Sequence, residues 1–167
     1  MKIIFKITRQ LLTGIRADLR RRHQFAAERV GFIGAGFSDT HEGILALAHS
    51  YQPVADGDYI PDGTVGAMMG PGAIRSAMQW ALTQRVGIFH VHSHEGVGLP
   101  WFSPVDLREQ IKFMPSFQNV AAHCPHGALV LSNTAARGRV WLVRDKAPVH
   151  IDEFIEVGAP LRKWSGL

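Results

Sequence analysis

The stretch that most restricts the fold of this chain runs from Arg85 to Asp106. Its first part, Arg85-Val86-Gly87-Ile88-Phe89-His90-Val91, is apolar and β-branched, and it predicts a buried strand on which His90, His92 and His94 share one face. Its last part, Ser103-Pro104-Val105-Asp106, predicts a helix start with Ser103 at the N-cap, Pro104 in the first helical position and Asp106 two residues further in. Any fold for this chain must therefore bring the end of that strand to the start of that helix.

Two imidazoles at i and i+2 on a strand stand about 6–7 Å apart at their Cα atoms, close enough for both rings to turn onto one ion. Asp106 is the candidate third ligand, because the positive end of a helix dipole keeps a first-turn carboxylate ionised. Two histidines and a carboxylate leave a position open for water, which is the ligand set of a hydrolytic zinc site. Each part also has a plain structural reading. Clustered strand histidines serve as hydrogen-bonded core residues, and Ser-x-x-Asp is a common helix cap. His90 adds a second choice, since His90 and His92 form another His-x-His pair on the same face. All three cannot hold one ion from a regular strand, because the outer two lie about 13 Å apart along it. His92 and His94 are preferred because they stand nearer Ser103.

Together, His92-x-His94, a loop and Ser103-x-x-Asp106 resemble the signature of the JAMM metalloprotease family, whose motif also requires a glutamate far upstream. Glu28, in the stretch Phe25-Ala26-Ala27-Glu28-Arg29-Val30-Gly31-Phe32-Ile33-Gly34, looks like that residue. Alone it reads as an exposed strand-end carboxylate. The resemblance spans roughly Ala27 to Val143. It implies an α/β fold: a single JAB/MPN domain over residues 1–167, with a mixed, mainly antiparallel β-sheet flanked by helices in a cytidine-deaminase-like sandwich. It also implies Zn2+ held by His92, His94 and Asp106, with Glu28 as general base and acid and Ser103 steadying the tetrahedral oxyanion. The loop from Glu95 to Phe102 holds eight residues where the commonest form has seven, and Glu95 stands where many relatives carry proline.

The activity this resemblance implies is that of a zinc isopeptidase or peptidase acting after the C-terminal tail of a ubiquitin-like protein. The chain looks most like the prokaryotic JAB proteins, for which E1-like and E2-like enzymes of the same pathway are the expected partners. An extended tail would pair with an edge strand near Ala46 to Tyr51, or with the loop in which Gly98, Trp101 and Phe102 form a substrate-binding wall. Three other readings compete: a non-catalytic MPN scaffold, a nucleic-acid-associated relative of the RadC type, and a metallo-amidase for small substrates.

Composition narrows these. With 167 residues, 46% hydrophobic and 19% charged, the chain predicts one soluble globular domain. No apolar run approaches the roughly 18–20 residues that span a bilayer, and Met1-Lys2-Ile3-Ile4-Phe5-Lys6 is too short and too charged for a signal peptide. A lone Cys124 excludes an internal disulfide, and the expected compartment is the cytoplasm, with no membrane partner. The net charge of +4 is modest, and Arg16, Arg20, Arg21 and Arg22 on one predicted helix read as a solvated face, so nucleic acid is not the expected partner. His123-Cys124-Pro125-His126 invites a second zinc site, but a Cys and two His packed so tightly cannot complete a tetrahedron alone. Arg108 stands where some relatives place a second-site histidine.

Along the rest of the chain, the pattern predicts a strand over Ile3–Ile7, a helix from Thr8 to about His23, and strands over Arg29–Phe37 and Ile44–Val54. A connection over 55–64 and an extended piece over Val65–Met69 lead to a helix from Pro71 to about Gln84, with Ile74, Met78, Ala81 and Leu82 on one face. In the helix after Ser103, Leu107, Ile111 and Met114 form the expected buried stripe, and Pro115 ends or kinks it. Strands over Ala128–Ser132 and Arg139–Val143, joined by a turn over 133–138, precede a last strand over Val149–Val157 and a tail.

Overall fold

A computed structural model describes residues 1–22, 24 and 26–165. In chain order it contains β1 (Lys2–Thr8), α1 (Arg9–Leu19), β2 (Val30–Asp39), β3 (Gly43–Pro53), a 3-10 turn (Asp56–Asp58), α2 (Pro71–Gln84) and β4 (Gly87–Ser93). There follow α3 (Pro104–Val120), β5 (His126–Leu131), β6 (Ala136–Trp141), β7 (Val149–His150), β8 (Glu153–Val157) and β9 (Arg162–Ser165). The strands join one nine-stranded sheet in the order β7-β6-β5-β4-β2-β3-β1-β8-β9.

Strand alternation gives this sheet two unlike faces. On β4, Phe89 and Val91 join Ile3, Phe5 and the α1 residues Leu12, Ile15 and Leu19 in one core, while Ile88 joins Ala77 of α2 and Met114 and Phe117 of α3 in another. His90 and His92 point to this second side. Each large side chain fully buried in these cores contributes about 1.5–3 kcal/mol.

The first core is enclosed because the sheet coils. Phe5 of β1 meets Phe89 of β4 at a ring-centroid distance of 5.0 Å, although β2 and β3 separate their strands in the sheet order. A Cβ on Gly138 of β6 would lie 2.5 Å from Ile151 and 2.9 Å from Phe154 of β8, so the two flanks approach closely across the interior. Ile151 N–H donates to Gly138 O at 3.0 Å and the adjacent Asp152 N–H donates to Ile3 O at 2.9 Å, so two consecutive residues link opposite halves of the sheet. Right-handed strand twist accumulated over many strands permits this coiling.

The expected helix-flanked JAB/MPN sandwich of the cytidine-deaminase-like kind is thereby corrected. The molecule is a mostly-sheet, curled half-barrel of nine strands with three α-helices. Period-two alternation assigns each strand two faces, but it does not say which strands close on one another. The expected final strand over Val149–Val157 is split, with β7 on one edge of the sheet and β8 and β9 on the other, where β8 pairs with β1.

Several local expectations change with it. Helix α1 ends at Leu19, and His23 and Phe25 lie outside the described residues. Strand β3 lies between β2 and β1, so Ala46 is paired on both sides and does not offer a free edge. Helix α2 buries Ala73, Ala77 and Ala81, whereas Leu82 is exposed. Helix α3 continues through Pro115 and buries Gln110, Met114 and Phe117, leaving Leu107 and Ile111 outside. No helix of the described residues is long and apolar enough to cross a membrane.

Candidate metal centre

The site forms where the end of β4, the start of α3 and the residues before β2 meet. Strand β2 runs antiparallel to β4 with Val30 opposite His92, which brings the chain just ahead of Val30 to the histidines. That chain is firmly held. Arg29 is buried, and its guanidinium donates to Asp56 Oδ1 at 2.7 Å, Arg21 O at 2.8 Å and Arg22 O at 3.1 Å. Next to it, Glu28 N–H donates to Gly66 O at 2.9 Å. A Cβ on Gly66 would lie 2.8 Å from the Glu28 carboxyl, so only glycine leaves that carboxylate its place.

Ser103 and Asp106 make the capping box that the sequence predicts. Ser103 N–H donates to Asp106 Oδ2 at 2.7 Å, and Asp106 N–H donates to Ser103 Oγ at 3.1 Å. The same carboxylate oxygen also faces the histidines, at 3.3 Å from His92 Nε2 and 3.6 Å from His94 Nε2. The cap and the site are thus one piece of structure. Burial acts to raise the pKa of Asp106, but His92, together with the N–H and hydroxyl of Ser103, holds it well below the usual carboxylate range.

His92 is 1% exposed, and neither of its ring nitrogens has a hydrogen-bond partner among the described residues, the approach to Asp106 included. An orphaned imidazole this deeply buried is costly unless something else occupies its lone pair. Glu28, His92 and His94 each bring one ligand atom within 4.8 Å of the others. In a tetrahedral site with bonds of about 2.1 Å, ligand atoms stand about 3.4 Å apart, which the separations at Asp106 bracket. By donor type, His92, His94 and Asp106 could hold a zinc ion, and Glu28 is the carboxylate that clusters with the two histidines.

His90 takes no part in that set. Its ring lies between Phe32 at 5.8 Å and Phe113 at 5.5 Å, with its nitrogens buried and without partners. Burial, with His92 beside it, pushes its pKa down to about 3, so the ring is neutral. Of the two His-x-His pairs the sequence offers, His92 and His94 are the one that meets the carboxylate.

The loop from Glu95 to Phe102 is tied to the β5–β6 turn. Gly98 N–H donates to Thr134 Oγ1 at 2.8 Å and Ser132 Oγ donates to Gly98 O at 2.6 Å. Phe102 lies 6.2 Å from the His92 ring, whereas Trp101 is 68% exposed and stacks 3.7 Å over the Arg137 guanidinium. A cleft of about 530 Å³ opens at the histidines, and its far wall comes from Thr64–Met69 rather than from Gly98, Trp101 and Phe102.

In the stretch His123-Cys124-Pro125-His126, the polar atoms of His126 and Cys124 face backbone groups. His126 accepts a hydrogen bond from Ile88 N–H at Nδ1 (3.1 Å) and lies 3.2 Å from Ala121 O through Nε2, so both nitrogens are engaged. Burial lowers its pKa to about 4. The Cys124 thiol lies 3.3 Å from Arg85 O, and burial pushes its pKa up.

Sequence patterning missed Gly66, Gln110 and Arg137. Gly66 lies in Val65–Met69, a segment read only as an extended piece. Gln110 sits one position away from the expected apolar stripe, and Arg137 fell in the expected turn because β6 starts at Ala136, three residues before the predicted strand. The available signal was Arg137-Gly138-Arg139, two arginines at strand spacing beside apolar Val140 and Trp141.

No family model matches the sequence, and no curated protein matches it. Among solved structures it is similar to the N-terminal domain of STIL from Trichoplax adhaerens, at 9% identity and a TM-score of 0.37 over 80% of this chain. The chain spans 39% of that structure's length, and a likeness of this extent carries no argument about function.

Proposed function

We propose that this protein is a zinc-dependent peptidase or isopeptidase of the JAMM type, which hydrolyses the amide bond after the C-terminal tail of a ubiquitin-like protein. The observation that carries this reading is a single carboxylate oxygen, on Asp106, standing 3.3 and 3.6 Å from the Nε2 atoms of His92 and His94, with Glu28 beside them. The reading rests on this cluster and not on the fold.

When bound, zinc would supply a Lewis acid that activates water and polarises the scissile carbonyl. Glu28, at the mouth of the cleft, accepts the proton of the attacking water and returns it to the leaving amine nitrogen. Water oxygen bonds to the carbonyl carbon, the C–N bond breaks, and a carboxylate and an amine leave. Ser103 Oγ accepts from Asp106 N–H, and its hydroxyl proton, which faces the Asp106 carboxylate, would turn to the oxyanion as a donor. An extended tail of small residues is the substrate that a cleft walled by Thr64–Met69 suits, and E1-like and E2-like enzymes would supply such conjugates.

The test is cleavage of a ubiquitin-like fusion by the zinc-loaded protein, with and without chelator, beside Glu28→Ala. Cleavage is expected to be lost with chelator and to fall by about 10²–10⁴-fold in Glu28→Ala at unchanged zinc content. Equal cleavage by the variant would remove Glu28 from the chemistry. Failure of the zinc-loaded wild type on every fusion offered would leave the scaffold reading in its place.

A further inference from the structure

Four strands carry one row of side chains across the face that holds the histidines. Val30 of β2 pairs with His92 of β4, His92 with Val130 of β5, and Val130 with Arg137 of β6. The next row is Phe32, His90, Ala128 and Arg139. Arg137 therefore lies on the same face as His92, two strands away, at a backbone separation of about 10 Å.

Arg137 is 7% exposed, and its Nε and Nη2 atoms are buried without a hydrogen-bond partner among the described residues. Its guanidinium carbon lies 3.7 Å from the centre of the Trp101 ring. Arg139 lies 5.4 Å from the Trp141 ring and donates from Nη1 to Gln110 Oε1 at a long 3.4 Å. Gln110 reaches into the histidine cleft and has its own Nε2 buried and unbonded. Burial lowers the pKa of both arginines, and no neighbouring carboxylate opposes that shift.

The Arg137 guanidinium, withdrawn from water without a counter-ion among the described residues and with half-buried Arg139 on the next row, is unfavourable unless an anion completes it. Stacking on Trp101 occupies one face of Arg137 but leaves the in-plane N–H edge, which matches a carboxylate in bidentate fashion. We propose that Arg137 and Arg139 form a carboxylate-binding subsite beside the metal centre. It takes an acidic side chain or the free C-terminus of a peptide substrate, about three extended residues from the scissile bond at roughly 3.3 Å per residue. This inference rests on the peptidase reading for what the substrate is, but its test does not require catalysis.

The probes are end-blocked heptapeptides of alanine and glycine with a single Glu walked through each position, their Gln counterparts, and the same peptide with a free or an amidated C-terminus. Binding to chelator-treated protein is measured by calorimetry, so no peptide is cut. One Glu register, if the source is a side chain, or the free carboxylate, if it is a terminus, is expected to bind at least tenfold more tightly than its neutral counterpart. That gain should shrink below twofold in Arg137→Gln, recover in part in Arg137→Lys, and persist in Glu28→Gln, where the chemistry is removed. Equal affinity of charged and neutral peptides for the wild type, undetectable binding by both included, would overturn the proposal whether or not the arginine variants fold. So would a gain that survives in both Arg137→Gln and Arg139→Gln. Loss of fusion cleavage with the charge preference intact would instead count against the peptidase reading alone.

Discussion

The two faces of the sheet do opposite things with the same strand. On β4, Phe89 and Val91 turn into the half-barrel interior, where Phe5 and Phe154 pack against one another and Phe5 meets Phe89. His90 and His92 turn the other way, beneath α3. Of the buried side-chain polar atoms without a hydrogen-bond partner, all but Arg16 Nε belong to His90, His92, Gln110 and Arg137. Among the described residues, one face leaves a single buried side-chain atom, Arg16 Nε, without a partner, and the other leaves all the rest. Unpaired buried groups are costly, and on this face they gather around the candidate metal centre.

The contrast is open to direct attack. Phe89→Ala should remove about 3–5 kcal/mol of stability in urea unfolding, because it opens a cavity that the coiled sheet cannot collapse. His92→Leu, three residues further along β4 on the opposite face, should cost metal-free stability no more than about 1 kcal/mol, since neither of its ring nitrogens makes a well-formed hydrogen bond among the described residues and what is lost is its approach to the Asp106 carboxylate. Zinc at a hundred times its Kd should stabilise the wild type by about 2.7 kcal/mol and the Leu variant not at all. A large loss of metal-free stability in His92→Leu would erase the distinction between the faces.

His126 sharpens it, being a histidine on the site's side of the sheet whose nitrogens are both engaged. Its pKa falls to about 4 on folding, so the unfolded chain takes up the proton first and stability declines as pH drops from about 6.5 towards 4. The decline attributable to this residue should reach roughly 3 kcal/mol. It is the part of the wild-type pH dependence that is missing in His126→Gln, measured by unfolding at a series of pH values.

The smallest expected effect on stability belongs to Gly66→Ala, because the atoms its methyl group would meet are the far end of a flexible side chain. Stability should change by less than about 1 kcal/mol. Peptidase activity should nevertheless fall at least about tenfold as the Glu28 carboxylate is displaced, since general acid–base catalysis depends on hydrogen-bond reach. Unchanged activity with an unchanged structure would show that Glu28 need not sit where Gly66 leaves it.

Most of the elements were legible, and so was the core of the site. Ser103 and Asp106 announce themselves because a helix cap is a local affair, in which donor and acceptor lie three residues apart in any fold. His92 and His94 follow because a strand's period of two holds whatever surrounds it. Arg137 was not legible, because its significance depends on the register of three paired strands, and a strand start misplaced by three residues hid even its face. Nor was Gly66, which matters only because a distant segment of chain runs past Glu28.

The sequence by itself determined the helix cap at Ser103 and Asp106 and the shared strand face of His92 and His94, since cap, strand period and apolar patterning are set by neighbours along the chain. Only the tertiary structure decided that the sheet coils into a half-barrel rather than a layered sandwich, that Glu28 reaches the histidines, and that the buried Arg137 lies on their face of the sheet with two nitrogens unpartnered among the described residues. Closure of a sheet and the meeting of remote side chains depend on accumulated twist and on strand order, and neither leaves a periodic trace in the chain.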